Sequence, residues 1–377
     1  MDAAIVLANI RDLAVQFASE RRERQQRRHL DSADFNRLCE AGFPLTGVPI
    51  EYGGIWESVP RSARPICDML RVLAHGDASI ALVCAMHPSV LNFWMATPEV
   101  PTPFQEAWEA QRRIIFRGVC EGAWWGTIAS EPGASGDLSR SKATARRESV
   151  NGNYRLSGQK NFGSGSGITA FMLTVAVPEG EATPDIFFLD MRGVPWDGSA
   201  GVALAAAWDG QGMAATQSHA MSFDDFPATR VAWPGQLSRL QQATAGLTQC
   251  CFTAVIAGVA EIAMETAREQ VARRREEMRA YERLEWTRAE LEFWLIQQAY
   301  EGMLRAIEED QDSRICAVQA KTAIAELAES VLHRICRVIG GGTFSRSSPF
   351  GHWFEDVRAL GFLRPPLGLA YDQLFGS

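Results

Sequence analysis

The sequence predicts an α+β protein, mostly α, in which a small β module separates two helical regions. Apolar residues recur at helical spacing up to about residue 120, and short β-like runs bounded by turn residues fill the stretch 123–235. Long amphipathic patterns return after Pro234-Gly235. The expected domains are 1–122, helical; 123–235, β; and 236–377, a helical bundle. At 377 residues the chain exceeds what one hydrophobic core usually organises, so two or three regions are natural.

In chain order, Val6, Ile10, Leu13 and Phe17 mark a first helix. Ser32 is the expected N-cap of another, carrying Phe35, Leu38 and Cys39 and stopped by Gly42 and Pro44. A Pro/Gly-rich connection from Val48 to Gly54 precedes helices around 61–75 and 77–97. Within the β module Asn151-Gly152-Asn153 signals a hairpin, and Phe171–Val177 and Asp185–Leu189 read as strands. In the last region Phe293, Ile296, Tyr300, Met303, Leu304 and Ile307 form one apolar face. Ala317, Ala320, Ile324, Leu327, Val331 and Val338 form a second, and short charged links between such helices argue for a bundle.

Composition narrows the functional classes. With 46% hydrophobic and 22% charged residues and a formal net charge of −8, the chain suits a globular protein and does not suit a nucleic-acid partner. The basic cluster Arg21, Arg22, Arg24, Arg27 and Arg28 is interrupted by Glu20 and Glu23 and reads as a solvated helical face. Eight cysteines without a CxxC pair suit a reduced, cytoplasmic protein, and no metal site is expected. No basic n-region marks a signal peptide. No uninterrupted apolar run reaches the roughly 18 residues of a spanning helix, so no membrane segment is expected.

Three stretches have the composition of a ligand site. Residues 127–137 (TIASEPGASGD) surround a Glu-Pro step with small residues, which lets backbone N–H groups approach an anionic or heteroaromatic ligand. Residues 156–166 (LSGQKNFGSGS) place Phe162 two positions before Ser164, an aromatic plane beside a hydroxyl that could serve a flat cofactor. Gly340, Gly341 and Gly342 end a long helix and give room for a phosphate or a neighbouring subunit. Each has a plainer reading beside it: a Gly/Pro turn, a bulged strand edge, a helix C-cap. Trp94, Trp124, Trp125 and Trp208 indicate an aromatic-rich interior.

In this order and on this helix–β–helix layout, the segments resemble the acyl-CoA dehydrogenase superfamily over nearly the whole chain. The resemblance runs through 38–43 and 48–54, Ser130 to Ala134, Gly158 to Lys160, Trp208 to Met213 with Thr216 and Ser218, Gly340-Gly341 and Asp356. It implies an N-terminal helical domain, a middle β-barrel-like domain and a C-terminal four-helix bundle, assembled as a homotetramer or homodimer. It also implies FAD between the β module and the bundle. Thr127, Ile128, Ser130 and Gly136 would line the flavin, Phe162 would pack on its ring, and Ser164 would face its N5 edge. Arg274 falls at the arginine of the cofactor pyrophosphate, and Gly340 and Gly341 at the adenosine side. An electron-transfer or flavin reductase partner belongs to the same picture.

Desaturation of an acyl thioester, bound to CoA or a carrier protein, needs a carboxylate base. The superfamily places it either eight residues past the C-terminal Asp, which is Arg364 here, or early in the first bundle helix, which is Thr248. Neither is a carboxylate. The usual Arg-Asp pair reads Glu355-Asp356, the usual Gly-Ser reads Ser135-Gly136, and an arginine near the CoA site aligns with Gln249. Thr248 and Gln249 are accordingly the candidate substrate positions. Arg364, His87 and Ser164 are the candidate catalytic residues, and Glu261, Glu131, Asp372 and His352 are candidates by type alone. An acyl-CoA dehydrogenase-like oxidoreductase is the first expectation. The alternative is a reduced-flavin-dependent monooxygenase using FMN, whose aromatic-x-Ser-Gly pattern resembles Phe162-Gly-Ser164-Gly165, although no histidine stands near Leu363. A catalytically silent flavoprotein or scaffold is the third.

Overall fold

The computed structural model describes residues 2–97, 99–134, 136–148, 153–311 and 313–376. Asp2 accepts the Ile5 N–H and starts α1 (Ala3–Ser19), whose Val6, Ile10, Leu13 and Phe17 are buried. A short α2 (Arg21–Arg24) leads to α3 (Ser32–Ala41), which ends on Gly42 in the left-handed region, where glycine is at ease. The N-cap of α3 is Asp31, not Ser32: its backbone is extended and its carboxylate accepts the Ala33 N–H, so Ser32 is already the first helical residue.

The basic cluster is likewise not all solvated. Arg24 is 4% exposed, bonds Asp34 through both terminal nitrogens at 2.8 Å, reaches Glu20 and Asp77, and lies over the Phe17 ring. It ties α2 to α3 and to the start of α5. Periodicity could not separate this arginine from its exposed neighbours.

Helices α4 (Val59–Gly76), α5 (Ala78–Met95) and α6 (Thr102–Cys120) follow. Within α5, His87 is fully buried. The Trp125 N–H donates to its Nδ1 at 3.1 Å, so Nε2 carries the proton and faces the Pro44 carbonyl at 3.1 Å. Burial, opposed by the bond to Pro44, lowers the imidazole pKa to about 4. With both nitrogens engaged, His87 is a neutral core group and offers neither a lone pair nor a mobile proton, which removes it as a catalytic candidate.

The β module contains β1 (Trp125–Thr127), β2 (Thr144–Arg147), β3 (Tyr154–Gly163), β4 (Phe171–Pro178), β5 (Asp185–Asp190), β6 (Val202–Ala206) and β7 (His219–Arg230). The pairings β4–β2, β2–β3, β3–β7, β7–β5 and β5–β4 form a closed circuit, with β1 added to β4 and β6 to β7. Closure makes this a small barrel and leaves few free edges. The Asn151-Gly152 turn expected between β2 and β3 lies outside the described residues, though the two strands do pair antiparallel. Leu156, Met172, Phe187, Leu189, Val202, Met221 and Phe223 fill the barrel. Trp94, Trp108, Trp125 and Trp233 pack its outer face against α5 and α6.

The chain ends in α7 (Leu237–Ala272), α8 (Ala280–Glu308), α9 (Ser313–Ile339), α10 (Pro349–Arg358) and α11 (Leu367–Phe375). The three long helices pack together with the shorter α10, and their apolar faces share one core with α1, α4 and α5. By length and composition α5 and α7 could each cross a membrane, which the stricter run-length reading of the sequence excluded. In the structure 83% of each apolar window is buried within the protein, so both serve as core helices.

Two outcomes are expected. A Cβ on Gly258 would sit 2.2 Å from the Arg71 carbonyl oxygen, because α4 and α7 cross in backbone contact. Gly258→Ala should therefore cost about 1–3 kcal/mol, read as a lower urea midpoint at unchanged slope. For His87, the unfolded imidazole takes up a proton near pH 6.5 and the folded one only near pH 4. The unfolded state thus binds more protons in that window, and stability falls as pH drops through it, by up to about 3 kcal/mol. Denaturant titrations from pH 7 to pH 4 should show a shallower pH slope in His87→Gln.

Candidate functional site

Lys160 on β3 is fully buried and meets the Glu131 carboxylate at 2.5 Å. Glu131 also accepts from the Ser141 hydroxyl and from the N–H groups of Lys142 and Ala143. Burial alone would raise the Glu131 carboxyl, but Lys160, Ser141 and Lys142 outweigh it and hold it below the usual carboxylate range. Glu131 is therefore a committed structural anion, unsuited to act as a base. The pair clamps the 127–137 segment beside β3.

Thr127 ends β1, and Ile128 is buried with its N–H on the Leu173 carbonyl at 2.9 Å and its carbonyl accepting the Thr174 hydroxyl at 2.7 Å. Ser130 bridges Asn161 through its backbone, one residue before Phe162. Gly136 has φ 79°, and a Cβ there would come within 3.0 Å of the Pro366 ring. Ser135 lies outside the described residues.

The C-terminal turn crosses this segment. Arg364 donates through Nη2 to the Ser130 hydroxyl at 2.8 Å, and among the described residues no carboxylate pairs with it. Burial lowers its pKa to about 10, which leaves it a cation at neutral pH. The turn is held from behind by Lys321 on α9, a fully buried ammonium that donates to the carbonyls of Leu360 at 2.8 Å and Pro365 at 2.9 Å. Burial lowers Lys321 to about pH 8. Sequence reasoning missed Lys321; its signal was a lone lysine beside Ala320 and Ile324 on an apolar helical face.

A β-bulge between Lys160 and Gly163 puts Phe162 at φ 59°. The Phe162 ring is 56% exposed and meets Trp208 edge-on at 6.1 Å. Ser164, 5% exposed, bonds the Ser218 hydroxyl at 2.8 Å; Ser218 bonds the Thr216 hydroxyl at 2.7 Å; and Thr216 donates to the Met213 carbonyl at 2.8 Å. That carbonyl also accepts Trp208 Nε1 at 3.0 Å, and the Met213 N–H donates to Asp356 at 2.6 Å. Burial, opposed by the Met213 N–H, raises the Asp356 carboxyl to about 7.

The remaining candidates fall elsewhere. Glu261 is bound by Arg71 at 2.7 Å and His75 at 3.0 Å, which hold it against α4 and leave it no free basic edge. Asp372 is exposed on α11, and His352 is partly buried on α10. Gln249 is buried with its side-chain carbonyl unpaired, and Thr248 beside it is partly buried. Arg274 is engaged with Glu282 at 3.2 Å and with the Val338 carbonyl, which puts it beside Gly340. Gly340 has φ 89°, and nothing lies within 4 Å of a Cβ at 340, 341 or 342. The structure thus forms two groups: Ser130, Gly136, Phe162, Ser164 and Arg364 at the barrel, and Arg274 with the glycine turn at the end of α9.

These residues fit a flat heteroaromatic group with polar edges. Phe162 presents a half-exposed ring, Ser164 a buried hydroxyl, Arg364 a cation that no carboxylate among the described residues pairs, and the glycine turn an open surface.

No protein-family model matches the chain. It is 27% identical over 356 residues to an amino sugar nitrososynthase from Streptomyces rubradiris, covering 89% of this chain and 79% of that one. Over 381 residues it is 23% identical to a putative acyl-CoA dehydrogenase of Bacillus subtilis, covering 94% and 91%. An L-prolyl-[peptidyl-carrier protein] dehydrogenase of Pseudomonas fluorescens is 26% identical over 245 residues, 63% of this chain and 60% of that one. Among solved structures, FMN-bound TdsC from Paenibacillus sp. A11-2 superposes with a TM-score of 0.80 at 20% identity, covering 98% and 96%. KijD3 in complex with FMN and a dTDP-linked amino sugar gives 0.82 at 20%, covering 99% and 93%. Butyryl-CoA dehydrogenase from Megasphaera elsdenii gives 0.82 at 17%, covering 99% and 97%. Helix–barrel–helix architecture and sequence similarity along most of the chain agree: the chain has the acyl-CoA dehydrogenase-like fold and is similar in sequence to enzymes named as dehydrogenases and nitrososynthases.

Proposed function

We propose that this chain is a reduced-flavin-dependent monooxygenase that oxygenates a nitrogen or sulfur atom of a small organic substrate. The observation that carries this reading is Arg364, a cation bonded to Ser130 where desaturation would require a carboxylate. A guanidinium cannot remove a proton near neutrality, but it stabilises negative charge developing beside it. Bound reduced flavin would supply two electrons to dioxygen, one oxygen atom passing to the substrate and the other leaving as water. Phe162 would cover the ring, Ser164 would meet its N5 edge, Thr127, Ile128, Ser130 and Gly136 would line it, and Arg364 would hold the anionic charge. Similarity to a nitrososynthase and the fold shared with FMN-bound TdsC support the reading.

FMN is the proposed cofactor. Arg274, the candidate for a pyrophosphate, is already tied to Glu282 and Val338, and an anionic neighbour opposes a second phosphate. A homo-oligomer is also proposed: Tyr281, Leu284, Leu291, Trp294 and Leu295 expose an apolar seam along α8 that a second copy would cover.

A second reading, desaturation of a CoA- or carrier-protein-bound acyl group, is favoured by the similarity to the prolyl-carrier-protein and Bacillus dehydrogenases. Two measurements separate them. Purified protein mixed with reduced FMN, air and a panel of amines and thioethers should give products one oxygen heavier. Arg364→Leu should lower that yield by about 10²-fold while reduced FMN still binds. Anaerobic mixing with acyl thioesters should leave the flavin oxidised in the native chain. If the thioesters bleach the flavin, and Arg364→Glu bleaches it faster, dehydrogenation replaces oxygenation. Protein that binds neither FMN nor FAD would be a scaffold.

A further inference from the structure

The hydroxyls of Ser164, Ser218 and Thr216 form a chain whose direction follows from counting protons. A hydroxyl carries one proton, and a carbonyl oxygen only accepts. Thr216 lies 2.8 Å from the Met213 carbonyl, so its proton is committed there. The 2.7 Å bond between Thr216 and Ser218 must then use the Ser218 proton, and the 2.8 Å bond between Ser218 and Ser164 must use the Ser164 proton. All three hydroxyls are at most 7% exposed, which leaves water little access to reverse the order. Ser164 Oγ is left with lone pairs and no proton to give.

The chain is anchored where it begins. The Met213 carbonyl is pinned by Thr216 and by Trp208 Nε1, and the Met213 N–H by Asp356. Left-handed backbone at Met213, φ 50°, and at Gln217, φ 47°, folds the segment so that Thr216 and Ser218 meet. Gln217 in turn accepts the Leu30 N–H at 2.9 Å, which ties the turn to the N-terminal region.

We infer that Thr216 and Ser218 are positioning residues that make Ser164 an obligate acceptor, so that the site prefers reduced flavin, whose N5 bears a proton, to oxidised flavin, whose N5 is itself an acceptor. This rests on the flavin reading above and deepens it: Ser164 meets N5, while its two partners choose the redox state. An enzyme that begins its cycle with reduced flavin gains occupancy from such a device.

The test is a pair of binding titrations on the full chain. Oxidised FMN is titrated in air by fluorescence quenching, and dithionite-reduced FMN is titrated anaerobically by ultrafiltration. The native chain should bind reduced FMN more tightly. Ser218→Ala frees the Ser164 proton for an oxidised N5 and should narrow the ratio of the two affinities about tenfold, the worth of one hydrogen bond. The midpoint potential of bound FMN should move about 30 mV more negative for that change in a two-electron couple. Ser218→Thr restores a hydroxyl and should restore the ratio. Thr216→Val, close in shape, breaks the chain one step earlier and should act as Ser218→Ala does, which keeps the test open if that variant folds poorly. Equal loss of both affinities at an unchanged ratio would mean a merely structural role and sink the inference, leaving the flavin reading intact. Failure of the native chain to bind either form overturns both.

Discussion

The buried pair between Lys160 and Glu131 is the contact on which the site's layout depends. An ion pair this enclosed contributes little net stability compared with apolar packing, but removing one partner strands a charge. Its effect is therefore on arrangement. Glu131 gathers Lys160, Ser141 and two backbone N–H groups, and so fixes the small-residue segment against β3 at the level of the Phe162 bulge. Barrel closure then prevents β3 from slipping against β7, which carries the next part of the site. Ser130 and Ser164 keep their spacing because one clamp and one closed sheet hold both.

Charge around the site is asymmetric. Lys160 is neutralised by Glu131 and Lys321 is spent on two carbonyls, whereas among the described residues Arg364 bonds a hydroxyl and no carboxylate. On the monooxygenase reading, an arginine in that position would stabilise an anion beside the flavin, where a dehydrogenase would need a group that accepts a proton.

Much of the fold was legible in sequence because periodicity reports burial directly. The apolar faces of α8 and α9 and the strands β4 and β5 appear where spacing places them. Charged residues were less legible. Arg24 looked like part of a solvated run, yet Asp34 and Asp77, carboxylates from other helices, turn it inward together with the nearby Glu20. His87 was indistinguishable from a catalytic histidine until its two backbone partners were located. Lys321 drew no notice, since one lysine barely disturbs an apolar pattern. The Ser130, Phe162 and Ser164 positions were readable through a motif, but the Arg364–Ser130 bond and the direction of the hydroxyl chain depend on tertiary neighbours that no local pattern encodes.

Helix α9 also works as a ruler. Its Lys321 fixes the turn that carries Arg364, and its Val338 carbonyl receives Arg274 beside the glycine turn. Between those positions the helix rises about 25 Å. One rigid rod thus sets both the separation and the relative rotation of the two groups of candidate residues. Adding a single residue to that stretch would turn one end by about 100° relative to the other, so the length of α9 is as much a part of the site as any side chain in it.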